Sequence, residues 1–249
     1  MNKLEICGQF ERGVENFGCP IMIAQVGSHA YGLNTPSSDE DYRGVFFPLE
    51  KYVYGLQTVE QVKVKGDDWV CHDIRQYVKL LLKQNPTIME LLFIPPAELV
   101  LCVKDWLDFL PHLKKLVTKK AFLPYSAYVR AQLQKAINRQ PVGKRSRVVE
   151  ELGYDTKFMS HCARLAVQCI ALMQTGEIPV RVPLEYRGNI MAIKENKVEK
   201  SEAIAYIEGL DSKMHEAYKQ SVLPEIADVE TFESQVFMPY MKNGWVPVL

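Results

Sequence analysis

Asp39 and Asp41 stand one residue apart in SSDEDYRG, downstream of a Gly27-Ser28 pair that closes the apolar run PIMIAQV. Along an extended strand side chains alternate between faces, so Asp39 and Asp41 would share a face while Glu40 points the other way. Two like charges on one face repel unless a cation joins them. Mg2+ suits that role: it takes hard oxygen ligands, keeps several waters, and is commonly held by one or two carboxylates together with substrate phosphates. Mn2+ is the alternative ion for the same donors. Gly27 allows close backbone approach, and the Ser28 hydroxyl with neighbouring N–H groups can hold phosphate oxygens. Two ions clamping an in-line displacement stabilise the entering and leaving oxygens, the central requirement of phosphoryl and nucleotidyl transfer. Ser-Ser-Asp-Glu-Asp is also ordinary turn chemistry, and an Asp-x-Asp pattern alone is common. The context sharpens it: the glycine-serine pair follows an apolar strand, and ten residues separate Ser28 from acids that open another strand.

The elements that would position these residues are legible in the same region. PIMIAQVGS reads as a strand, DYRGVFFPL as a second, and EQVKVKG and DWVCH as two more around Gly66, together a small mixed sheet. From Asp73 the period changes: Ile74, Tyr77, Val78, Leu81 and Leu82 fall at helical spacing behind an acidic cap. Asn85-Pro86 breaks that helix, and TIMELLF predicts a further helical segment ending at Pro95-Pro96. A boundary there divides the chain into residues 1–96, carrying the sheet, and 97–249, mainly helical, with helices predicted near 104–118, 124–138, 151–175, 199–209 and 211–221. The fold class is α+β.

Composition narrows the function classes. The 249 residues suffice for one large domain or two modest ones. Thirty basic and thirty acidic side chains cancel, so no global field draws the chain to nucleic acid or an anionic membrane, and any polyanion site must be local. The six cysteines form no CxxC pair, which points to free thiols in a reducing compartment rather than a disulfide framework or zinc site. The N-terminal residues contain no long apolar leader, and no stretch reaches the roughly 18 apolar residues of a membrane span. A cytoplasmic protein is expected.

Gly27, Ser28, Asp39 and Asp41, with their spacer, resemble the signature of the DNA polymerase beta type nucleotidyltransferase superfamily: a small Gly-[Gly/Ser] pair, a short helix, and two alternate acids on the next strand. Glu40 departs from it, since the pattern prefers an apolar residue between the acids. Three longer blocks, GSHAYGLNTPSSDEDYRGVF, DIRQYVKLLLKQNPTIMELLF and GYDTKFMSHCARLAVQCIALMQTGEIPV, are similar to successive blocks of the RlaP-type nucleotidyltransferases, associated with RNA repair. The resemblance runs from about residue 20 to 182. It implies a polymerase-beta-like catalytic domain followed by a helical substrate- and nucleotide-binding domain. It also implies Mg2+-dependent transfer of a nucleoside monophosphate from a nucleoside triphosphate to an acceptor hydroxyl, such as an RNA 3′ end, with release of pyrophosphate. Other members of the superfamily use protein or small-molecule hydroxyls as acceptors. A noncatalytic nucleotide-binding module is the reading from another class.

The superfamily carries a third carboxylate on a neighbouring strand, for which Asp67, Asp68 and Asp73 are the candidates. Asp68 is favoured, because it opens DWVCH and would share a face with Val70 and His72. Asp73 immediately precedes an amphipathic helix, where an N-cap is the commoner role, and stays as the alternative. His72 is either a proton shuttle or a hydrogen-bonded structural histidine.

In the helical half, Lys157, His161, Arg164 and Gln168 recur at steps of four, three and four, one polar stripe beside the apolar stripe of Phe158, Cys162, Leu165, Cys169 and Leu172. Lys157 and Arg164 suit phosphate contacts, and the alternative is a solvated face paired with Asp155 or Glu151. The resemblance favours the former, with Lys157, His161 and Arg164 joining Gly27 and Ser28 in nucleotide binding. Lys144, Arg145 and Arg147 form a basic loop suited to RNA or simply to solvent. Tyr31 either stacks on a base or packs locally, and Glu90 reads as an exposed polar position.

Overall fold

The computed structural model describes residues 1–65, 68–138, 140 and 146–243. Contacts group the chain into two compact units, Met1–Thr118 with Ile226–Leu249, and Lys119–Glu225. The first unit opens on α1 (Lys3–Val14), begun by a capping box in which the Asn2 side chain accepts from the Glu5 N–H and the Glu5 carboxylate accepts from the Asn2 N–H. Its buried residues Ile6, Phe10 and Val14 recur every four positions, so they form a single stripe.

There follow β1 (Gly18–Val26), α2 (Gly27–Tyr31), β2 (Asp41–Pro48), α3 (Glu50–Val53), β3 (Gln61–Lys65), β4 (Trp69–Asp73), α4 (Ile74–Leu82) and α5 (Pro86–Met89). A 3₁₀ turn over Glu90–Phe93, β5 (Leu99–Cys102) and α6 (Lys104–Lys114) complete this stretch. The sheet order is β3-β4-β2-β1-β5, with β2 and β4 parallel and the other neighbours antiparallel. One face of the sheet presents Ile23, Tyr42, Phe46, Trp69 and Cys71 to the α1 stripe. Phe10 stacks on Trp69 with ring centroids 5.7 Å apart. Each such buried side chain contributes about 1.5–3 kcal/mol, so the face holding α1 is the anchor for the opposite face, where the acids lie.

The second unit contains α7 (Phe122–Asn138), α8 (Ser146–Leu152), α9 (Thr156–Thr175), α10 (Leu184–Lys194) and α11 (Lys200–Lys219). α9 packs against α7, α10 and α11, which explains why it is buried nearly all round from Met159 to Ile170. Asp155 caps it, accepting from the N–H groups of Lys157 and Phe158. The chain then returns to the first unit with α12 (Val229–Phe232), a π-helical turn (Glu233–Phe237) and α13 (Met238–Asn243).

The α+β class and the four N-terminal strands agree with the sequence reading. Two helices expected over 199–209 and 211–221 are instead one, α11: Ala203, Ile207, Leu210, Met214 and Ala217 keep a continuous buried stripe through Gly209, outweighing the cost of about 1 kcal/mol for a glycine inside a helix. The six cysteines are free, with Cys71, Cys162 and Cys169 buried. No helix among the described residues is long and apolar enough to cross a membrane.

Candidate active site

β1 ends at Val26 and the chain turns at once into α2. Gly27 makes that turn with φ of 71°, the left-handed region that glycine enters without steric cost. A Cβ at this position would also collide with the Asp41 carboxylate, so the backbone conformation and the close approach both demand glycine. Antiparallel pairing of Val26 with Asp41 sets the first residue of β2 beside the last of β1.

The turn residue just ahead of β4 is the second acid. Arg43 pairs with Val70 and Val45 with His72 in parallel register, and continuing that register two residues back brings Asp68 level with Asp41. The Trp69 indole N–H donates to the Glu40 carbonyl at 3.1 Å, tying together the neighbours of the two acids. Val26, Gly27, Tyr31, Asp41, Arg43 and Asp68 line one cavity of about 250 Å3.

The structure thus gathers Gly27, Asp41 and Asp68. Asp39 is exposed in coil, two residues ahead of the first residue of β2, where strand alternation no longer fixes its direction, and it is not among the residues lining the cavity. Ser28 is half-buried in α2 with its carbonyl accepting the Leu33 N–H at 2.9 Å, and it too lies outside the lining. Asp67 falls outside the described residues. Asp73 is occupied elsewhere: its carboxylate accepts the Arg75 N–H at 2.6 Å and pairs with the Arg75 guanidinium. It borders a separate cavity of about 310 Å3, walled by Val59, Val78, Phe232 and Phe237, that shares no lining residue with the first.

Arg43 was not anticipated, although the alternation that joins residues two apart on a strand would have found it next to Asp41. Glu90 corrects an expectation. It is 2 % exposed rather than a surface position, and its Oε2 accepts the Tyr31 hydroxyl at 2.9 Å. The predicted helix through TIMELLF ends as an α-helix at Met89, and the tighter 3₁₀ turn starting at Glu90 redirects the side chains that follow.

His72, on the same face as Arg43, is 5 % exposed, and neither ring nitrogen has a hydrogen-bond partner among the described residues. Burial, and then the Arg43 charge, push its pKa down from 6.5 to about 4. The unfolded chain therefore takes up the proton first, so the stability this residue provides is whole above pH 6.5 and drains away as pH falls toward 4. Between about pH 7 and pH 5 that loss should be about 1–2 kcal/mol. Urea unfolding of wild type and His72→Gln at both pH values should show a smaller pH-dependent loss in the variant, and equal losses would contradict a buried neutral imidazole.

In the second unit Lys157 is exposed, His161 half-buried and Arg164 5 % exposed, with Gln168 fully buried. Arg164 donates to Gln168 Oε1 at 2.8 Å and approaches His161 Nε2 at 3.1 Å. A guanidinium only donates, so Nε2 accepts. Burial, followed by the charges of Arg164, Lys157 and Lys135, accordingly pushes the His161 pKa down to about 3. The polar stripe is therefore an internal hydrogen-bonded chain at Arg164 and Gln168 and solvent-facing only at Lys157. Glu151 pairs with Arg147 at 2.7 Å, while Lys144 and Arg145 lie outside the described residues.

Among the described residues no three His, Cys, Asp or Glu side chains gather as a ready-made cage for an ion. The cavity instead offers two carboxylates, Asp41 and Asp68, beside a glycine whose missing Cβ leaves room for the Asp41 carboxylate. That donor set fits Mg2+, which is commonly bound by one or two carboxylates and completed by water and substrate phosphates. A search among curated proteins finds no match to this chain. The model of RlaP, the RNA repair pathway DNA polymerase beta family, matches residues 3–236, nearly the whole chain, and the chain belongs to that family.

Proposed function

We propose that this chain transfers a nucleoside monophosphate from a nucleoside triphosphate to an acceptor hydroxyl, an RNA 3′ end being an acceptor in keeping with a family named for RNA repair. The observation that carries this reading is the shared cavity: Gly27, Asp41, Arg43 and Asp68 converge on one volume at one end of the three central strands. Mg2+ or Mn2+, held by Asp41 and Asp68 with Asp39 from the adjoining loop, would supply charge neutralisation for the phosphates and for both oxygens of the displacement. The acceptor oxygen attacks the α-phosphorus, the bond to the β-phosphate oxygen breaks, and pyrophosphate leaves. Asp68 takes the acceptor proton, a role suited to its exposed position at the cavity.

Arg43 contributes a fixed positive charge at the same wall, where phosphate oxygens accept its N–H groups. Gly27 and Ser28 hold the phosphates through the turn between β1 and α2. Lys157, the exposed end of the α9 stripe, is assigned to phosphate contact, with His161 and Arg164 behind it as the packed support of α9.

Mass spectrometry of products after incubation with ATP, GTP, CTP and UTP, Mg2+ and total RNA tests this reading. The expected product is RNA lengthened by a nucleoside monophosphate, with stoichiometric pyrophosphate. Label in protein or in a small-molecule hydroxyl with none in RNA would move the acceptor to those classes. Nucleotide binding without pyrophosphate release under any condition would make the cavity a noncatalytic module.

A further inference from the structure

Tyr31 is the one aromatic side chain among the six residues lining the catalytic cavity, whose other polar side chains, Asp41, Arg43 and Asp68, are all charged. It is the last residue of α2, four positions after Gly27, hence one helical turn away and on the same side. Its hydroxyl donates to the Glu90 carboxylate at 2.9 Å, and Glu90 is not among the residues lining the cavity.

The far end of that hydrogen bond is held rigidly. Glu90 is 2 % exposed, and a carboxylate taken out of water must be hydrogen-bonded where it sits. The segment that leads into its turn is pinned by two side chains. Gln84 donates from its buried amide to the carbonyls of Leu81 and Leu116 and accepts the Thr118 N–H. Asn85 accepts the N–H groups of Thr87 and Ile88. A tyrosine that merely filled space would require none of this anchoring. A tyrosine presenting a planar face to a ligand profits from it, because the ring is ordered before binding rather than during it.

We infer that Tyr31 is the platform on which the base of the incoming nucleotide stacks, and that Glu90 is the positioning residue that holds the ring for it. This rests on the nucleotidyltransferase reading of the cavity and adds the division of labour within it. Arg43 and the acids, with their metal, deal with the phosphates, and Tyr31 deals with the base. Stacking accepts any base, so the ring confers affinity for nucleoside triphosphates over bare polyphosphate without selecting strongly among the four.

The test is calorimetric binding of ATP, GTP, CTP, UTP and inorganic tripolyphosphate, each with Mg2+, to the full chain and to three variants. Wild type is expected to bind the four nucleotides more tightly than tripolyphosphate. Tyr31→Ala should weaken nucleotide binding about 5- to 150-fold and leave tripolyphosphate within about 2-fold of wild type. Tyr31→Phe keeps the ring but releases it from Glu90, and should weaken nucleotides by about 2- to 10-fold. Glu90→Gln retains an acceptor oxygen and should keep most of the nucleotide preference. Because Tyr31→Phe and Glu90→Gln are nearly isosteric, they read the tether even where alanine disturbs folding. Equal weakening of nucleotides and tripolyphosphate, or no change in either, would overturn the platform while leaving the catalytic reading in place. A wild-type chain that binds neither would overturn both together.

Discussion

Asp41→Asn should leave the protein folded and reduce nucleotidyl transfer by about 10²–10³-fold. The substitution is isosteric, so the packing of the first residue of β2 against Val26 and Gly27 survives, while the negative charge at the centre of the cavity disappears. Asp41 is only half-buried, and its melting temperature should move by no more than about 4 °C. Pyrophosphate release by the variant, followed beside a thermal melt, checks both halves. A wild-type rate would mean that the cavity performs no metal-dependent chemistry, and a collapsed melt would assign Asp41 to the fold instead. Asp39→Asn in the same assay reports whether the loop residue, which does not line the cavity, shares the role of its neighbour.

Much of this site was legible because it obeys local rules. The run ending at Gly27-Ser28 and the acids opening the next strand are readable from hydrophobic pattern and turn chemistry alone, and the strand pairing of Val26 with Asp41 follows from them. Asp68 was also within reach, since the face it shares with Val70 and His72 follows from the period of a strand. What stayed hidden depends on residues distant in sequence. That Glu90 is buried and bonded to Tyr31 depends on a contact across a sequence separation of 59, and a helix-period reading of TIMELLF cannot register the change from α to 3₁₀ geometry at Glu90.

The burial along the α9 stripe was hidden for a related reason. Helical spacing shows that Lys157, His161, Arg164 and Gln168 share a side, yet the packing of α7, α10 and α11 around α9 decides that most of that side is internal. The return of residues 226–249 to the first unit has no local signature at all. α1 was not predicted, although its Asn2-to-Glu5 capping box and four-residue apolar step are local patterns.

Asp73→Ala should destabilise the first unit by about 2–4 kcal/mol and leave the chemistry intact. Its carboxylate does two structural jobs, accepting the Arg75 N–H as the N-cap of α4 and pairing with the Arg75 guanidinium. Losing the cap costs about 1 kcal/mol. Breaking a buried ion pair costs about 3–5 kcal/mol. That second figure is reduced here because the Arg75 side chain is 21 % exposed against 1 % for Asp73, leaving water to solvate part of the abandoned charge. Asp73→Asn keeps the cap and loses only the charge, so it should fall between alanine and wild type in urea unfolding. Asp68→Asn should behave in the opposite way, with near wild-type unfolding and a rate reduced like that of Asp41→Asn, because Asp68 is exposed at the cavity and caps no helix among the described residues. Were Asp73→Asn inactive at full stability and Asp68→Asn fully active, the third carboxylate of the site would be Asp73. The Asp73–Arg75 pair would then have to open during the reaction.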